Sequence, residues 1–356
     1  MQTYIIKRLL LLPPMMLGIT FISFFVMQMA PGQSGGGGGG ELSAGRMTRS
    51  QWEVMNRTFH LDKPIYMRYF YWLGVLQPTP TEKEIEESKL TGKPIEKRGV
   101  IFGDFGYSMD TRSVKVTTRL RDAIPITILL NVIAILITYI LSIPLGVYSA
   151  THQGSGSDRF TTILLFALYS LPTFWVAVLL IKLMVWLPPE LRLPFQGYQP
   201  PGSDQLTTLE WLWGCAKHLA LPILVMTYGS FAGLSRFMRS SMIDVIRSDY
   251  VRTARAKGVG EFFVIYKHAL RNSLIPMITL LGGLLPGLIS GSVILESIFG
   301  IPGMGYVAYK ALMARDYTLL MADLTIVAFL VMIGFLLTDL LYTLADPRIS
   351  FEKGGR

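Results

Sequence analysis

Apolar residues run through this chain in long unbroken blocks rather than at the spacing of a soluble helix or strand. Residues 9–29 give 21 positions without a charge, and 123–151, 160–181 and 272–295 are equally free of them. A shorter run of 17 covers 219–235, and a last run, 319–341, is interrupted only by Asp323 and Asp339. A helix rises about 1.5 Å per residue, so about 20 apolar residues cross a hydrocarbon core of about 30 Å. The pattern predicts an all-α membrane protein with six transmembrane helices. Pro13, Pro14, Pro144, Pro172, Pro222, Pro276 and Pro286 fall inside the runs. They would break soluble helices, but spans packed against neighbours re-satisfy the freed carbonyls. The first run exceeds the roughly 7–15 apolar residues of a secretory signal and shows no small-residue cleavage site, so it reads as a span.

Charge sets the orientation. With the N-terminus inside, the inner pieces hold Lys7 and Arg8, then Arg159, then eight basic residues over 236–271, then Arg348, Lys353 and Arg356: 14 basic against 6 acidic residues. The two short outer loops carry Arg192, Lys217, Lys310 and Arg315 against five acids. Short loops rich in Lys and Arg stay cytoplasmic, whereas long ones translocate largely regardless of charge. Both termini are therefore expected inside, and the 14 basic and 11 acidic residues of 30–122 do not oppose that. The expected organisation is a cytoplasmic start and first span (1–30), an outer segment (31–122), a transmembrane core (123–345) with a cytoplasmic loop at 236–271, and a cytoplasmic tail (346–356).

Composition agrees. Hydrophobic residues make up 51% of the 356, the mean hydropathy is +0.43, and 16% are charged, against roughly 25% in soluble domains. That deficit rules out disorder and argues against a water-soluble globule. The net charge of +9 is mostly the topology signal, so no nucleic-acid partner is expected.

The outer segment opens on Pro31-Gly32 and an unbroken glycine run, 35–40, which is expected to hold no fixed structure. Residues 51–61 have helical spacing. The cluster Tyr66-Met67-Arg68-Tyr69-Phe70-Tyr71-Trp72 reads as an interfacial belt on the outer leaflet, and 79–98 as a polar exposed insertion. Catalytic chemistry is hard to find. Cys215 is the one cysteine, and the histidines His60, His152, His218 and His268 have no metal-ligand spacing. No phosphate-binding loop occurs, since Gly92-Lys93 runs into Pro94. The chain is expected to bind no cofactor, to hydrolyse no ATP and to be no enzyme.

The most informative stretch is the inner loop. Asp249 can N-cap a short helix, Tyr250-Val251-Arg252-Thr253-Ala254-Arg255-Ala256-Lys257, which Gly258 stops at its C′ position. A second helix restarts near Gly260-Glu261. Arg252 and Arg255 share a face, and Ala254 and Ala256 are small enough to let a partner approach the backbone. A short capped helix between two spans can be pushed as a rigid unit.

This stretch, followed by Lys267-His268-Ala269-Leu270-Arg271-Asn272-Ser273-Leu274-Ile275-Pro276, resembles the inner loop of bacterial di- and oligopeptide ABC importer permeases. The likeness is to the first of their two membrane subunits, the one with a large outer segment after span one. Further marks are Lys7-Arg8-Leu9-Leu10, Met29-Ala30-Pro31-Gly32, Leu61-Asp62-Lys63-Pro64-Ile65, Gly103-Asp104-Phe105-Gly106-Tyr107-Ser108, Glu296-Ser297-Ile298-Phe299, Pro302-Gly303-Met304-Gly305, Arg315-Asp316-Tyr317 and Asp346-Pro347-Arg348-Ile349. The sequence departs from the broader importer pattern Glu-Ala-Ala-x₃-Gly-x₉-Ile-x-Leu-Pro: Arg252 stands at the Glu, Thr253 at the first Ala, and only Leu270 is kept of the last four. The peptide branch shares these changes.

The resemblance implies a type I ABC importer permease fold in the bacterial inner membrane. It implies a homologous second permease, two ATPase subunits that carry ATP and magnesium, an extracytoplasmic solute-binding protein and a peptide substrate. It makes Asp249, Tyr250, Arg252, Thr253, Ala254, Arg255, Ala256, Lys257 and Gly258 a coupling helix seated in an ATPase groove. Glu296, Phe299, Pro302, Gly303 and Gly305 are a candidate outer gate, with a simple tight loop as the alternative. Asp339 fits the ending of the family and reads as structural, while Asp323, near the outer end, is expected to snorkel to the interface. An ion-coupled secondary transporter is the rival; it should show an internal repeat around central charges, and none stands out. An ABC importer of another solute class is the nearer alternative.

Overall fold

The computed structural model describes residues 2–29, 60, 62–78, 86, 89–92, 98–109, 114–288 and 290–345. The glycine run 35–40, nearly all of the expected helix 51–61, most of 79–98 and the tail 346–356 lie outside the described residues. The chain divides into two compact units. The smaller takes in 6–122 and 307–329, the larger 123–306 with both ends of the chain.

The elements are helical, and among the described residues the one β pairing is an isolated antiparallel bridge of Tyr107 with Lys115. Helix α1, Gln2–Met29, carries Pro13 and Pro14 without a break. Helix α2, Ile65–Leu73, ends on Gly74 in the left-handed region (φ 97°). In the smaller unit α2 packs on α1: Phe24, Tyr69, Leu73 and Met321 form one buried cluster, and the Thr20 and Tyr69 hydroxyls lie 3.0 Å apart. Asp323, expected to snorkel, is instead buried in this unit.

Helix α3, Val116–Thr151, runs 36 residues through Pro125 and Pro144. Helices α4, Gly156–Ser170, and α5, Thr173–Trp186, meet at a 94° bend. The bend falls on Leu171 and Pro172, where proline removes a helix donor and forces its predecessor into extended backbone. Helix α6, Thr208–Ile246, starts on a capping box between Thr207 and Glu210 and runs 39 residues. Helix α7 is Asp249–Ala256. Beyond it come Glu261–Phe263, a π-helical turn Val264–Ala269, and Leu270–Ser273. Helices α8, Ile275–Leu284, α9, Val293–Ile298, α10, Met304–Ala314, and α11, Tyr317–Ala345, complete the order.

Among the described residues four helices are long and apolar enough to cross a membrane: α1, α3, α6 and α11. The bent pair α4–α5 makes five if it counts as one span. The run 272–295 does not form one long helix. It is divided into Leu270–Ser273, α8, a 3₁₀ turn Leu285–Leu288 and the start of α9. The sequence Gly282-Gly283-Leu284-Leu285-Pro286-Gly287 explains the interruption, because glycine and proline cost a helix interior about 1 and 3 kcal/mol each relative to alanine.

The larger unit has two cores. One joins Leu130 of α3, Ala177 and Met184 of α5, Leu219, Leu221 and Val225 of α6, and Leu295, Phe299 and Ile301 around α9. The other joins Val147 and Ala150 of α3, Met238 and Met242 of α6, Val251 and Ala254 of α7, and Val264, Ile265, Ala269 and Met277. Here α3 and α6 approach closely: a Cβ on Gly146 would stand 2.6 Å from Met238 Cβ. The second core seats the loop that follows α6.

Candidate functional site

Ser248, not Asp249, stands at the N-cap of α7 (φ −70°, ψ 151°); its hydroxyl makes no cap bond to the helix and donates back to Val245 O at 2.6 Å. Asp249 therefore sits one residue further in than expected. In the first turn its carboxylate favours the positive end of the helix dipole and lies 3.7 Å from Arg252. At the other end Gly258 has φ +78°. Its N–H donates to Arg255 O at 2.9 Å and Val259 N–H donates to Ala254 O at 3.3 Å, the paired bonds of a Schellman stop. The C′ position of Gly258 is as the sequence predicted.

The two faces of α7 are unlike. Val251 (0% exposed) and Ala254 (8%) are buried in the core beneath. Tyr250, Arg252, Thr253, Arg255, Ala256, Lys257 and Gly258 are exposed. This corrects one expectation: Ala254 is small because it packs on its own chain, and it offers no surface to a partner. Arg255 is clasped by Glu261, with Nη2–Oε1 2.6 Å and Nε–Oε2 3.1 Å. Those bonds hold the Glu261 carboxyl below its usual range and raise the guanidinium. Asn272 donates to the Tyr250 hydroxyl at 2.7 Å. Phe262, Phe263 and Tyr266 extend the exposed face with three aromatic rings, 50–66% exposed.

A charged cluster near this loop was not singled out from the sequence. Asp158, on the first turn of α4, forms a two-point ion pair with Arg239 of α6, both N–O distances being 2.8 Å. It also accepts from Gly154 N–H at 2.9 Å and from the Ser149 hydroxyl of α3. Its side chain is 4% exposed, that of Arg239 28%. The cluster ties α3, α4 and α6 together. A signal existed: Ser155 caps α4 by accepting from Asp158 N–H at 3.2 Å, and Ser-x-x-Asp is a readable helix start.

The other candidate site gathers around Glu296, which is 3% exposed. Its Oε1 accepts from Thr127 Oγ1 and Ser292 N–H, each at 3.2 Å, and its Oε2 from Tyr306 N–H at 3.0 Å. Thr127 in turn accepts from Met304 N–H at 2.8 Å. The turn wraps this carboxylate so closely that a Cβ on Gly303 would come within 2.5 Å of Oε2, and one on Gly305 within 2.6 Å of Val293 N. The structure thus brings together Glu296, Gly303 and Gly305 and adds Thr127 from α3. Phe299 is buried in the first core and Pro302 is exposed. Among the described residues no three His, Cys, Asp or Glu side chains gather as a metal site would require.

Several long apolar helices joined by short loop helices define a multi-pass membrane protein, and comparison supplies its family. Residues 142–351 match the family described as binding-protein-dependent transport system inner membrane component. The chain is 34% identical to the oligopeptide transport system permease protein AppB of Bacillus subtilis, over 99% of this chain and 100% of that one. It is 31% identical to the dipeptide transport system permease protein DppB of Lactococcus lactis, over 98% and 99%. It is also 31% identical to the oligopeptide transport system permease protein OppB of Haemophilus influenzae, over 99% and 100%. The chain belongs to this family: it is a multi-pass inner-membrane permease subunit of an ABC transporter. Such subunits are not themselves enzymes, and nothing in the match favours the ion-coupled rival.

Proposed function

We propose that this chain forms half of the translocation pathway of an ATP-driven importer of peptides or peptide-like solutes. Three relatives matched end to end are named for oligopeptide or dipeptide transport. In this reading the chain crosses the membrane six times with both termini inside, the pieces at 270–298 making the fifth crossing. A homologous permease completes the pathway, two ATPase subunits bind ATP and magnesium, and a solute-binding protein delivers substrate from outside. Residues 249–258 are the coupling element.

The observation that carries the reading is the two-faced α7. Val251 and Ala254 anchor it in the core shared with α3 and α6, so a force on its exposed cationic face reaches two long helices without bending the loop. Two discrete packings of such a unit suffice for a rigid-body switch. The Glu296 knot would hold the outer turn while the inner side moves.

The test reverses the charge of Arg252 and Lys257 together, since both are exposed and neither is clasped by Glu261. In reconstituted vesicles, Arg252→Glu with Lys257→Glu is expected to lower peptide uptake and substrate-stimulated ATPase activity at least tenfold, with all subunits still co-purifying or with the ATPases lost. Wild-type uptake from the double variant would reduce the loop to a positive topology anchor.

A further inference from the structure

Three separate apolar runs meet near their midpoints. The centre of 123–151 is Ile137, that of 219–235 is Thr227, and that of 272–295 falls between Gly283 and Leu284. A groove of about 170 Å³ opens at this level, lined by Asn131, Ile135 and Thr138 of α3, Met226 and Ser230 of α6, and Leu284 at the end of α8. Each of these residues stands within about 9 Å of helix rise from the centre of its run, in a hydrocarbon core about 30 Å thick. The groove therefore lies at the depth of the membrane interior.

Polar groups at that depth have no lipid partner. Non-helical backbone persists there only where it is buried in protein or lines a wet cavity. The 3₁₀ turn Leu285–Leu288 is such backbone, and Gly287 and Leu288 line the groove. Asn131 Nδ2–H donates to Leu288 O at 2.7 Å, its one hydrogen bond among the described residues. An amide has a second N–H and an acceptor oxygen besides. Thr138 donates its hydroxyl to Ala134 O at 2.7 Å and keeps its oxygen as an acceptor. Ser230 is exposed, and its hydroxyl has no hydrogen bond among the described residues.

The chemistry of the lining selects the solute. Among the described residues no ionisable side chain lines the groove, so an ion would leave its water without a counter-charge. Neutral donors and acceptors standing together complement a peptide bond, which needs one acceptor for its N–H and one donor for its C=O. The rest of the wall is apolar and includes Met226, a flexible side chain that adapts to differently shaped neighbours. Pockets that enclose a whole small ligand measure roughly 300–1,000 Å³, so a groove of about 170 Å³ is one wall of a site.

We propose that this groove is the chain's own wall of the solute path and that it reads the main chain of a peptide. Asn131 Oδ1 accepts from a peptide N–H, the Ser230 hydroxyl donates to a peptide C=O, and Ile135, Met226 and Leu284 receive side chains. The inference rests on the peptide-import reading above and adds the atoms that meet the solute. Every peptide presents the same amide, so passage is indifferent to sequence.

The experiment uses the complete importer with its ATPases and solute-binding protein in vesicles, in a Cys215→Ser background. During turnover, a tripeptide carrying a thiopyridyl-activated cysteine is expected to form a mixed disulfide with Ser230→Cys and with Ile135→Cys. Ile163→Cys, which is 68% exposed on α4 and outside the lining, should form little. Uptake at saturating binding protein then compares trialanine with its analogue N-methylated at both peptide bonds. Asn131→Leu should slow trialanine about tenfold and the methylated peptide less than about twofold, because the latter has no N–H to lose. Ser230→Ala should slow trialanine about threefold with an unchanged thermal midpoint.

Equal slowing of both peptides by Asn131→Leu would make Asn131 a strut for Leu288 and overturn the proposal. Unchanged trialanine uptake in Ser230→Ala would overturn it too, as would the absence of adducts at Ser230→Cys and Ile135→Cys while the unsubstituted importer works. A groove filled by acyl chains would leave Ser230→Cys unreactive toward a small water-borne thiol reagent, with the same consequence. An unsubstituted importer that takes up no peptide would instead overturn the import reading itself.

Discussion

At the scale of single residues, the buried carboxylates Glu296 and Asp158 do opposite work with the same chemistry. Glu296 is satisfied by neutral donors, chiefly backbone N–H groups, so its shape matters as much as its charge. Glu296→Gln keeps the shape but turns one acceptor into a donor facing a donor. It is expected to cost about 1–3 kcal/mol, read as a lower thermal midpoint of the detergent-solubilised complex. Gly303→Ala should cost about as much through overpacking, as its Cβ would meet both Thr127 and Glu296. Asp158→Asn leaves Arg239 without its counter-charge. Because Arg239 keeps solvent contact, with 28% of its side chain exposed, the loss should be about 2 kcal/mol, below the roughly 3–5 kcal/mol of a fully buried broken pair. A variant of either carboxylate with an unchanged midpoint would show that the cluster is not holding its helices. Glu296 was picked from its motif, but its partner Thr127 lies 169 positions away and no local pattern marks it.

Among the elements, α7 was the most legible and still misread on one face. Its length, its cationic residues and its glycine stop follow from spacing and from the backbone freedom of Gly258. What spacing does not show is which side faces the core. Two small residues, Ala254 and Ala256, look alike in sequence, and only packing against Met238, Met242 and Val264 separates the buried one from the exposed one. Ala254→Leu is therefore expected to destabilise the loop by about 1–3 kcal/mol. Ala256→Leu should leave stability unchanged and act on coupling alone, and thermal unfolding set beside ATPase assays of the two variants separates these effects. The interrupted run 270–298 and the 94° bend of α4–α5 were likewise half legible: the prolines were visible, but a membrane span tolerates proline in several ways, so position alone did not decide between a kink and a break. The Arg255–Glu261 clasp adds a pH dependence. The folded-state pKa of Glu261 is depressed below its ordinary 4.5, so the contribution of the clasp is complete above that value and is lost as pH falls through the folded pKa. Amide exchange over 255–261, corrected for intrinsic rates, should rise in the wild type as the pH falls from about 5 towards 3, through and below the ordinary value of 4.5. Glu261→Gln should show the faster exchange at both pH values; a wild type flat across that range would mean the clasp does not order the loop.

For the whole molecule, hydrophobic pattern and charge decide more than any motif. Among the described residues four helices, or five if the bent pair α4–α5 counts as one span, are long and apolar enough to cross. An even number of crossings leaves both ends on one side, and an odd number does not, so the status of 270–298 determines where the C-terminus lies. On the expected topology the inner pieces carry 14 basic and 6 acidic residues and the short outer loops four basic, besides Lys182 at the end of the third run, and five acidic, a difference the positive-inside rule resolves only if 270–298 crosses. If that segment merely dipped into the membrane and returned, 342–356 with Arg348, Lys353 and Arg356 would sit outside against the rule. Cysteine labelling decides it, because Cys215 is the only cysteine and can be replaced by serine. In that background, Gly38→Cys should react with an impermeant maleimide from outside. Ala256→Cys, on the exposed face of α7, and Lys353→Cys, in the tail, should react only after the membrane is permeabilised. Labelling of Lys353→Cys from outside with Ala256→Cys protected would make the segment 270–298 re-entrant and the chain five-spanning; labelling of Ala256→Cys from outside would invert the whole orientation and remove α7 from reach of any cytoplasmic ATPase.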